Sequence, residues 1–208
     1  MKDIVIIGAG GMGRETAWLI EQINQVEKKW NILGYLDDND ENVGKILSGY
    51  KVLGKIEIID SLPNEVNVVI AIGNGKIREK IVERLGKRNY PILIHPNVNI
   101  AKSSDIGEGT IICSGALISI ETKIGKHCII NFNSIIAHDS IIEDFVTIHV
   151  NVNISGNVLV EKFSTIGSGA SIYQGKKIEE NCMIGIGSAV IKKVKKGKTA
   201  LGVPAEIY

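Results

Sequence analysis

Aromatic residues are scarce in this chain of 208 residues: Phe, Trp and Tyr together make up 5%. Cysteine is scarcer still. Cys113, Cys128 and Cys182 are too few and too scattered for a disulfide framework or a zinc cluster. Neither sign of charge dominates, with 24 Lys plus Arg against 23 Asp plus Glu, which argues against a dedicated nucleic-acid binder. No run of 18 apolar residues exists, so no membrane span is expected. The opening Met-Lys-Asp-Ile-Val-Ile-Ile-Gly lacks an apolar stretch ending in a small-residue cleavage site. It therefore does not read as a signal peptide, and a cytoplasmic location is expected. What remains is a globular composition, 44% apolar and 23% charged, with 23 glycines. A core that does without aromatics is often built from a repeat.

The repeat fills the C-terminal half. From Ile94 to Val190, all seventeen residues spaced six apart are Ile or Val. That is the hexapeptide signature of a parallel β-helix. Four residues after each branched position, fifteen of sixteen are Ser, Thr, Ala, Val or Cys, with Lys176 the exception. These two phases are expected to point inward, one bulky and one small. Three residues after each branched position, ten of sixteen are Gly or Asn, which tolerate the positive φ of a tight corner. Cys128 and Cys182 fall in the small inward phase and Cys113 follows a branched position, so all three read as packing residues.

Residues 1–90 lack the repeat. Ile4-Val5-Ile6-Ile7 reads as a buried parallel strand that ends in Gly8-Ala9-Gly10-Gly11-Met12-Gly13. A helical pattern follows from Arg14 to Val26, then a strand at Ile32–Leu36 ending in Asp37-Asp38-Asn39. A second apolar run, Val66 to Ile72, ends at Gly73-Asn74-Gly75 before a helix near Ile77–Arg88. Strand, glycine turn, helix, strand implies a small α/β unit with a parallel sheet. Gly8-x-Gly10-x-x-Gly13 fits a phosphate-cradling turn at a helix start, and Asp37 lies near the acidic position of a dinucleotide fingerprint. Redox chemistry on a nicotinamide is disfavoured, because no second catalytic domain of dehydrogenase type follows.

The rhythm of Ile106-Gly107, Ile124-Gly125, Ile166-Gly167 and Ile184-Gly185 resembles the left-handed β-helix of hexapeptide acyltransferases, in which three hexads make one triangular coil of eighteen residues. Joined to a Rossmann-like unit, it resembles the bacterial sugar O- and N-acetyltransferases. That family includes the UDP-4-amino-sugar N-acetyltransferases and the sialic acid O-acetyltransferases. The resemblance runs along essentially the whole chain on Gly-Ala-Gly-Gly-Met-Gly (8–13), Tyr-Leu-Asp-Asp (35–38), Ala-Ile-Gly-Asn (71–74), Ile-His-Pro (94–96), Ala-His-Asp (137–139) and Leu-Gly-Val-Pro-Ala (201–205). It implies an α/β Rossmann-like sugar-nucleotide-binding domain over residues 1–90 and an all-β left-handed parallel β-helix acyltransferase domain over 91–208.

Acetyl transfer needs a base, an oxyanion donor and a pocket that holds both substrates. The resemblance makes His138 the general base and Asp139 the acid that raises its basicity; a carboxylate beside an imidazole favours the proton-bearing ring. Gly156 lies eighteen residues on, one coil away, and is the expected donor to the acetyl carbonyl. Asn131 and His149 share a column. The resemblance expects a second cofactor-contacting His nine residues after the base, where this chain has Thr147; His149 comes two residues later. Ser168 and Ile186, also eighteen apart, match cofactor contacts. Gly11, Met12, Gly13, Asp37, Asp38, Asn39, Gly73 and Lys76 match sugar-nucleotide contacts, although Met12 stands where UDP-amino-sugar relatives often have His. The lysines from Lys192 to Lys198 read either as a solvated cap or as an attraction for coenzyme A phosphates. His95 and His127 read as structural.

The expected function is acetyl-CoA-dependent acetylation of the amine of a nucleotide-linked amino sugar, a UDP-4-amino-dideoxy sugar, for surface glycan synthesis. The expected assembly is a homotrimer with no metal. The alternatives are O-acetylation of a sugar hydroxyl such as that of sialic acid, and a non-catalytic trimeric sugar-nucleotide-binding scaffold. A β-helical carbonic anhydrase is disfavoured, since no His-x4-His pair exists.

Overall fold

The computed structural model describes residues 1–208. The N-terminal part is one sheet with β1 (Lys2–Ile7), α1 (Gly11–Val26), β2 (Trp30–Leu36), β3 (Ile46–Leu47), β4 (Tyr50–Gly54), β5 (Asn67–Ile70) and α2 (Gly75–Leu85). A 3-10 helix, Ile56–Ser61, lies between β4 and β5. The strand order is β3-β4-β2-β1-β5, parallel throughout except for the antiparallel β3 at the edge. The β3–β4 hairpin turns on Ser48-Gly49, both at positive φ. It was not legible in the sequence because its first strand is two residues long. The β1 strand is buried from Ile4 to Ile7 on both faces, as a central parallel strand must be.

The C-terminal part is the left-handed β-helix. Its two-residue strands stack with an eighteen-residue offset, as in Ile118 beside Ile136 and Ile136 beside Ile154. The coils make three parallel faces. One face begins at Leu93–Ile94 and carries the docked N-terminal unit. The second runs from Asn99–Ile100 to Ala189–Val190, and the third from Asp105–Ile106 to Lys177–Ile178. The branched phase fills the interior, with Ile112, Ile130, Ile148, Ile166 and Ile184 all at 0% exposure. The small phase sits beside it. Ser134, Ser140 and Ser164 each bond the backbone of a neighbouring coil, which is why hydroxyls are tolerated there. Lys176, the exception in that phase, sends its ammonium out over the Tyr173 ring instead.

Positive φ extends beyond the Gly and Asn corners. Glu121, His127, Asp139, Phe145 and Phe163 adopt it too, at a cost of about 1 kcal/mol each. Three of these rings share one column: His127 stacks on Phe145 at 5.4 Å, and Phe145 on Phe163 at 5.8 Å. The ladder offsets the strain of its corners.

The two parts share a core. Leu93, Ile111 and Ile129 point outward from the first face and are buried against Ala17 and Ile20 of α1, together with Ile4, Ile6 and Tyr35. A second cluster fills the other side of the sheet with Val5, Ile7, Leu36, Ile59 and Ile81. All three cysteines are buried free thiols, and burial pushes those of Cys113 and Cys128 up to about 12.

Candidate active site

The C-terminal ends of β1, β2 and β5 open into a cleft of about 610 Å³. Gly8, Gly10, Gly11 and Met12 line one wall, Asp37, Asp38 and Asn39 another, and Gly73 a third. The glycine turn is held from the acidic side, because the Ala9 N–H donates to Asp37 Oδ2 at 2.6 Å. The other Asp37 oxygen takes the Asn39 N–H, and Asp38 Oδ1 takes the Ile56 N–H. The acidic loop is thus partly spent on shaping the cleft, and one Asp38 oxygen faces no partner in the chain.

Two expected contacts lie elsewhere. Gly13 is buried under the turn, and a Cβ there would strike the Gly8 carbonyl oxygen. Its freedom from a side chain serves helix–strand packing, which keeps it off the cleft surface. Lys76 is exposed and does not line the cleft. The cleft gains residues that the sequence reading missed. Ile77 and Ile81, one turn apart on α2, make an apolar wall with Leu36 and Ile56, and Lys80 and Arg84 rim it. The i, i+4 spacing on both pairs was the available signal.

A smaller chamber of about 240 Å³ adjoins the cleft and shares Gly11, Met12 and Gly73 with it. Its remaining walls are Glu15 of α1 and the β-helix residues Ile129, Asn131, Thr147, His149 and Val150. Asn131 and His149 do share a column, at the edge between the first and second faces. Asn131 donates to the Ile148 carbonyl at 3.2 Å, fixing its amide. The His149 ring is half-buried, and desolvation holds its pKa below the usual imidazole value. Thr147 is almost fully buried, and its hydroxyl donates to the Gly73 carbonyl at 2.7 Å. Ser168 and Ile186 lie on later coils of the same edge, Ser168 half-buried and Ile186 exposed.

Arg78 fixes the chamber wall, a role that no motif signals. Its side chain is 1% exposed and donates to six acceptors. These are the carbonyls of Ile72, Gly73, His127, Phe145 and Val146, and the Thr147 hydroxyl. None is a carboxylate. Burial lowers its pKa to about 10, so it stays charged at neutral pH. The close approach of α2 depends on Gly75 as well, where a Cβ would strike the Phe145 carbonyl.

His138 lies on a different edge, between the second and third faces. Its Nδ1 is 2.7 Å from Asp139 Oδ2, with both side chains about half exposed. The positive φ of Asp139 belongs to the corner and sets its carboxylate beside the ring. Gly156 lies directly under the ring. A Cβ there would come within 2.5 Å of His138 Cε1 and Nε2. The Asn157 N–H donates to the His138 carbonyl, while the Gly156 N–H makes no hydrogen bond within the chain. One chain therefore brings His138, Asp139 and Gly156 together on one edge of the second face. Asn131 and His149 lie on the opposite edge, below the cleft, and Ser168 and Ile186 follow on later coils of that edge. No group of His, Cys, Asp and Glu suits a metal, and no helix is long and apolar enough to cross a membrane.

Comparison with known proteins matches both parts. Residues 3–85 match the family model described as the PglD N-terminal domain. The chain is 35% identical over 115 residues to the UDP-N-acetylbacillosamine N-acetyltransferase of Bacillus subtilis (strain 168); the match takes in 54% of this chain and 51% of that protein, about half the length of the curated relative. Among solved structures, the acetyltransferase domain of PglB from Neisseria gonorrhoeae FA1090, in complex with acetyl coenzyme A, superimposes with a TM-score of 0.89 at 28% identity, covering 99% of this chain and 98% of that one. WeeI from Acinetobacter baumannii AYE superimposes with a TM-score of 0.88 at 30% identity, over 100% of both chains. A PglD-type α/β unit docked on a β-helix, matched over its full length at these identities, is a shared architecture and not a shared motif: the chain belongs to the family of bacterial sugar acetyltransferases.

Proposed function

We propose that the protein transfers the acetyl group of acetyl-CoA to the amine of a nucleotide-linked amino sugar, a UDP-4-amino-dideoxy sugar, in the cytoplasm, for surface glycan synthesis. The observation that carries the reading is the edge at His138: an imidazole paired with a carboxylate stands over Gly156, whose backbone N–H has no partner in the chain. His138 takes the proton from the attacking nitrogen as the C–N bond forms. Asp139 orients the ring and steadies the imidazolium. The Gly156 N–H donates to the oxyanion that develops on the thioester carbonyl. The tetrahedral species collapses with loss of the coenzyme thiolate, which the His138 proton neutralises. A thioester is already activated, so no acyl-enzyme is required.

The nucleotide half fills the cleft between Asp38 and the wall of Ile77 and Ile81, with its phosphates near the start of α1 at Gly11. Ser168 and Ile186 flank the coenzyme along its edge. The curated relative is named for this N-acetyl chemistry, and one solved neighbour holds acetyl coenzyme A.

Acceptor pocket and base lie on opposite edges of one face, so a complete site needs two chains. A closed threefold ring with the second faces inward sets the His138 edge of one chain against the His149 edge of the next. Leu117 and Ile135 on that face, and Ile120 at the His138 corner, are exposed apolar residues that such a ring would cover. Light scattering should give three times the mass of the chain; a monomer would leave the base without an acceptor.

The decisive assay follows free thiol release from acetyl-CoA with UDP-, GDP- and dTDP-linked amino sugars and with sialic acid. Release with an amino-sugar nucleotide supports the proposal. Release with sialic acid alone would move the assignment to O-acetylation. Failure of the whole panel, with no coenzyme A binding, would leave a scaffold.

A further inference from the structure

The cleft and the small chamber share Gly11, Met12 and Gly73, so a nucleotide seated in the cleft passes its sugar over the glycine loops into the chamber. That chamber has one imidazole, His149, whose ring makes no hydrogen bond within the chain. The groups around it are few. α1 contributes Glu15 on the chamber wall, with Arg14 in a neighbouring groove on its outer side. The loop after β5 contributes no titratable group, and Arg78 lies behind Thr147 with its donors satisfied. The coil before His149 offers Asn131, with the Cys113 thiol behind it. The coil after it offers Gly167 and Ser168. Desolvation lowers the ring's titration, so at neutral pH the resting imidazole is neutral and keeps a free lone pair.

An aliphatic amine is mostly an ammonium at neutral pH and has no lone pair for attack. Amide formation at such a centre releases two protons, one before the C–N bond forms and one with it. The His138–Asp139 edge accounts for one of them. We propose that His149 is a second catalytic residue, which takes the first proton from the acceptor ammonium while Glu15 across the chamber holds that ammonium in place.

The step balances. R–NH3+ and neutral His149 give R–NH2 and imidazolium. The free amine then attacks the thioester carbon, and His138 of the neighbouring chain takes the second proton and passes it to the departing thiolate. The His149 proton returns to solvent with product release. This inference rests on the amine-acetylating reading above, because a hydroxyl acceptor carries no such proton to remove.

The test is the pH profile of kcat/KM for the amino-sugar nucleotide in wild type and His149→Gln. At pH 6.5 the variant should lose about 10²-fold, the ordinary scale of a general base. As pH rises and solvent deprotonates more of the amine, the loss in the variant should shrink steadily. The KM for acetyl-CoA should not change. Glu15→Gln should raise the KM of the amino-sugar nucleotide at pH 6.5 and leave the affinity for the free nucleotide alone. An equal loss at every pH would make His149 a packing residue and overturn the inference. So would equal activity at every pH. In both cases the amine-acetylating reading stands, since wild type is active. Wild-type silence towards every amine would overturn both.

Discussion

In the β-helix, the neighbours of each residue lie eighteen positions before and after it. Ile136, for example, stands between Ile118 and Ile154. In the N-terminal unit, β1 is held between β2 and β5, so that Ile7 lies between Leu36 and Ile70. The first kind of core is a stack of near-identical layers whose stability is close to a sum over neighbours. The second kind closes only when distant segments meet together. The division extends to function. The α/β unit supplies loops that shape a cleft, and the β-helix supplies rigid corners on which an imidazole and an N–H keep a fixed spacing. Where the two meet, at Arg78 and at the Leu93–Ile111–Ile129 stripe, neither description holds alone.

The strongest test of this division is His138→Ala. The side chain is half exposed and packs no core, so folding should survive. Turnover should drop by 10²-fold or more, while equilibrium binding of the nucleotide, measured by calorimetry, should stay within twofold. A matching loss of nucleotide affinity would show that the cleft and the corner are not separate devices.

Arg78→Met should break the junction. Methionine can fill much of the space but leaves the Ile72, His127 and Phe145 carbonyls without a donor, while Gly73 keeps the Thr147 hydroxyl and Val146 keeps the Ile129 N–H. The expected loss is about 3 kcal/mol or more. Scanning calorimetry should show one transition splitting into two, with the α/β unit melting first. A single transition, merely shifted, would mean that the shared core around Ile111 and Ile129 couples the halves without the arginine.

The same contrast explains what could be read in the sequence. The six-residue period places the inward Ile, the small partners and most corners, because each depends on residues close by in the chain. The eighteen-residue offset also places Gly156 one coil from His138, whereas the roles of His138 and Asp139 come from the family resemblance and not from the period. The docking stripe was present as Leu93, Ile111 and Ile129, outward positions with inward chemistry, but nothing local says which apolar stripe docks and which stays exposed like Leu117 and Ile135. Arg78 was invisible for a different reason: its acceptors are backbone carbonyls, which every sequence has. Gly13 belongs to a phosphate motif, and in the fold its lack of a side chain also lets α1 approach the Gly8 carbonyl. Thr147 marked a departure from the resemblance, and its hydroxyl turned out to serve the Arg78 network.

His127 distinguishes the halves by pH. Its ring is buried between Tyr90 and Phe145, its Nδ1 has no partner, and desolvation lowers its pKa to about 4. The unfolded chain, with an ordinary imidazole near 6.5, then binds the proton more tightly than the folded one. Stability contributed by the neutral ring is full above about pH 6.5 and falls as pH drops towards 4, by up to about 3 kcal/mol. His127→Phe keeps a ring in the stack and removes the titration. Denaturant midpoints taken from pH 7 to pH 4 should slope less for the variant than for wild type. Parallel slopes would place the acid sensitivity in other groups.

The smallest effect asked for is the one that tests additivity. Ile154→Val removes one methylene from a fully buried layer and should cost about 1 kcal/mol. Ile136→Val and Ile172→Val, in the same column one coil either side, should cost the same within a few tenths, because each removes the same group from a column of branched residues. Ile100→Val, in the first layer and only partly buried, should cost less. Ile6→Val in β1 has no such family of equals, since its neighbours Tyr35 and Val69 occur once. If the three central substitutions differ by more than 1 kcal/mol, the layers are not interchangeable, and the β-helix is held by particular corners such as the His127–Phe145–Phe163 ladder more than by its repeating interior.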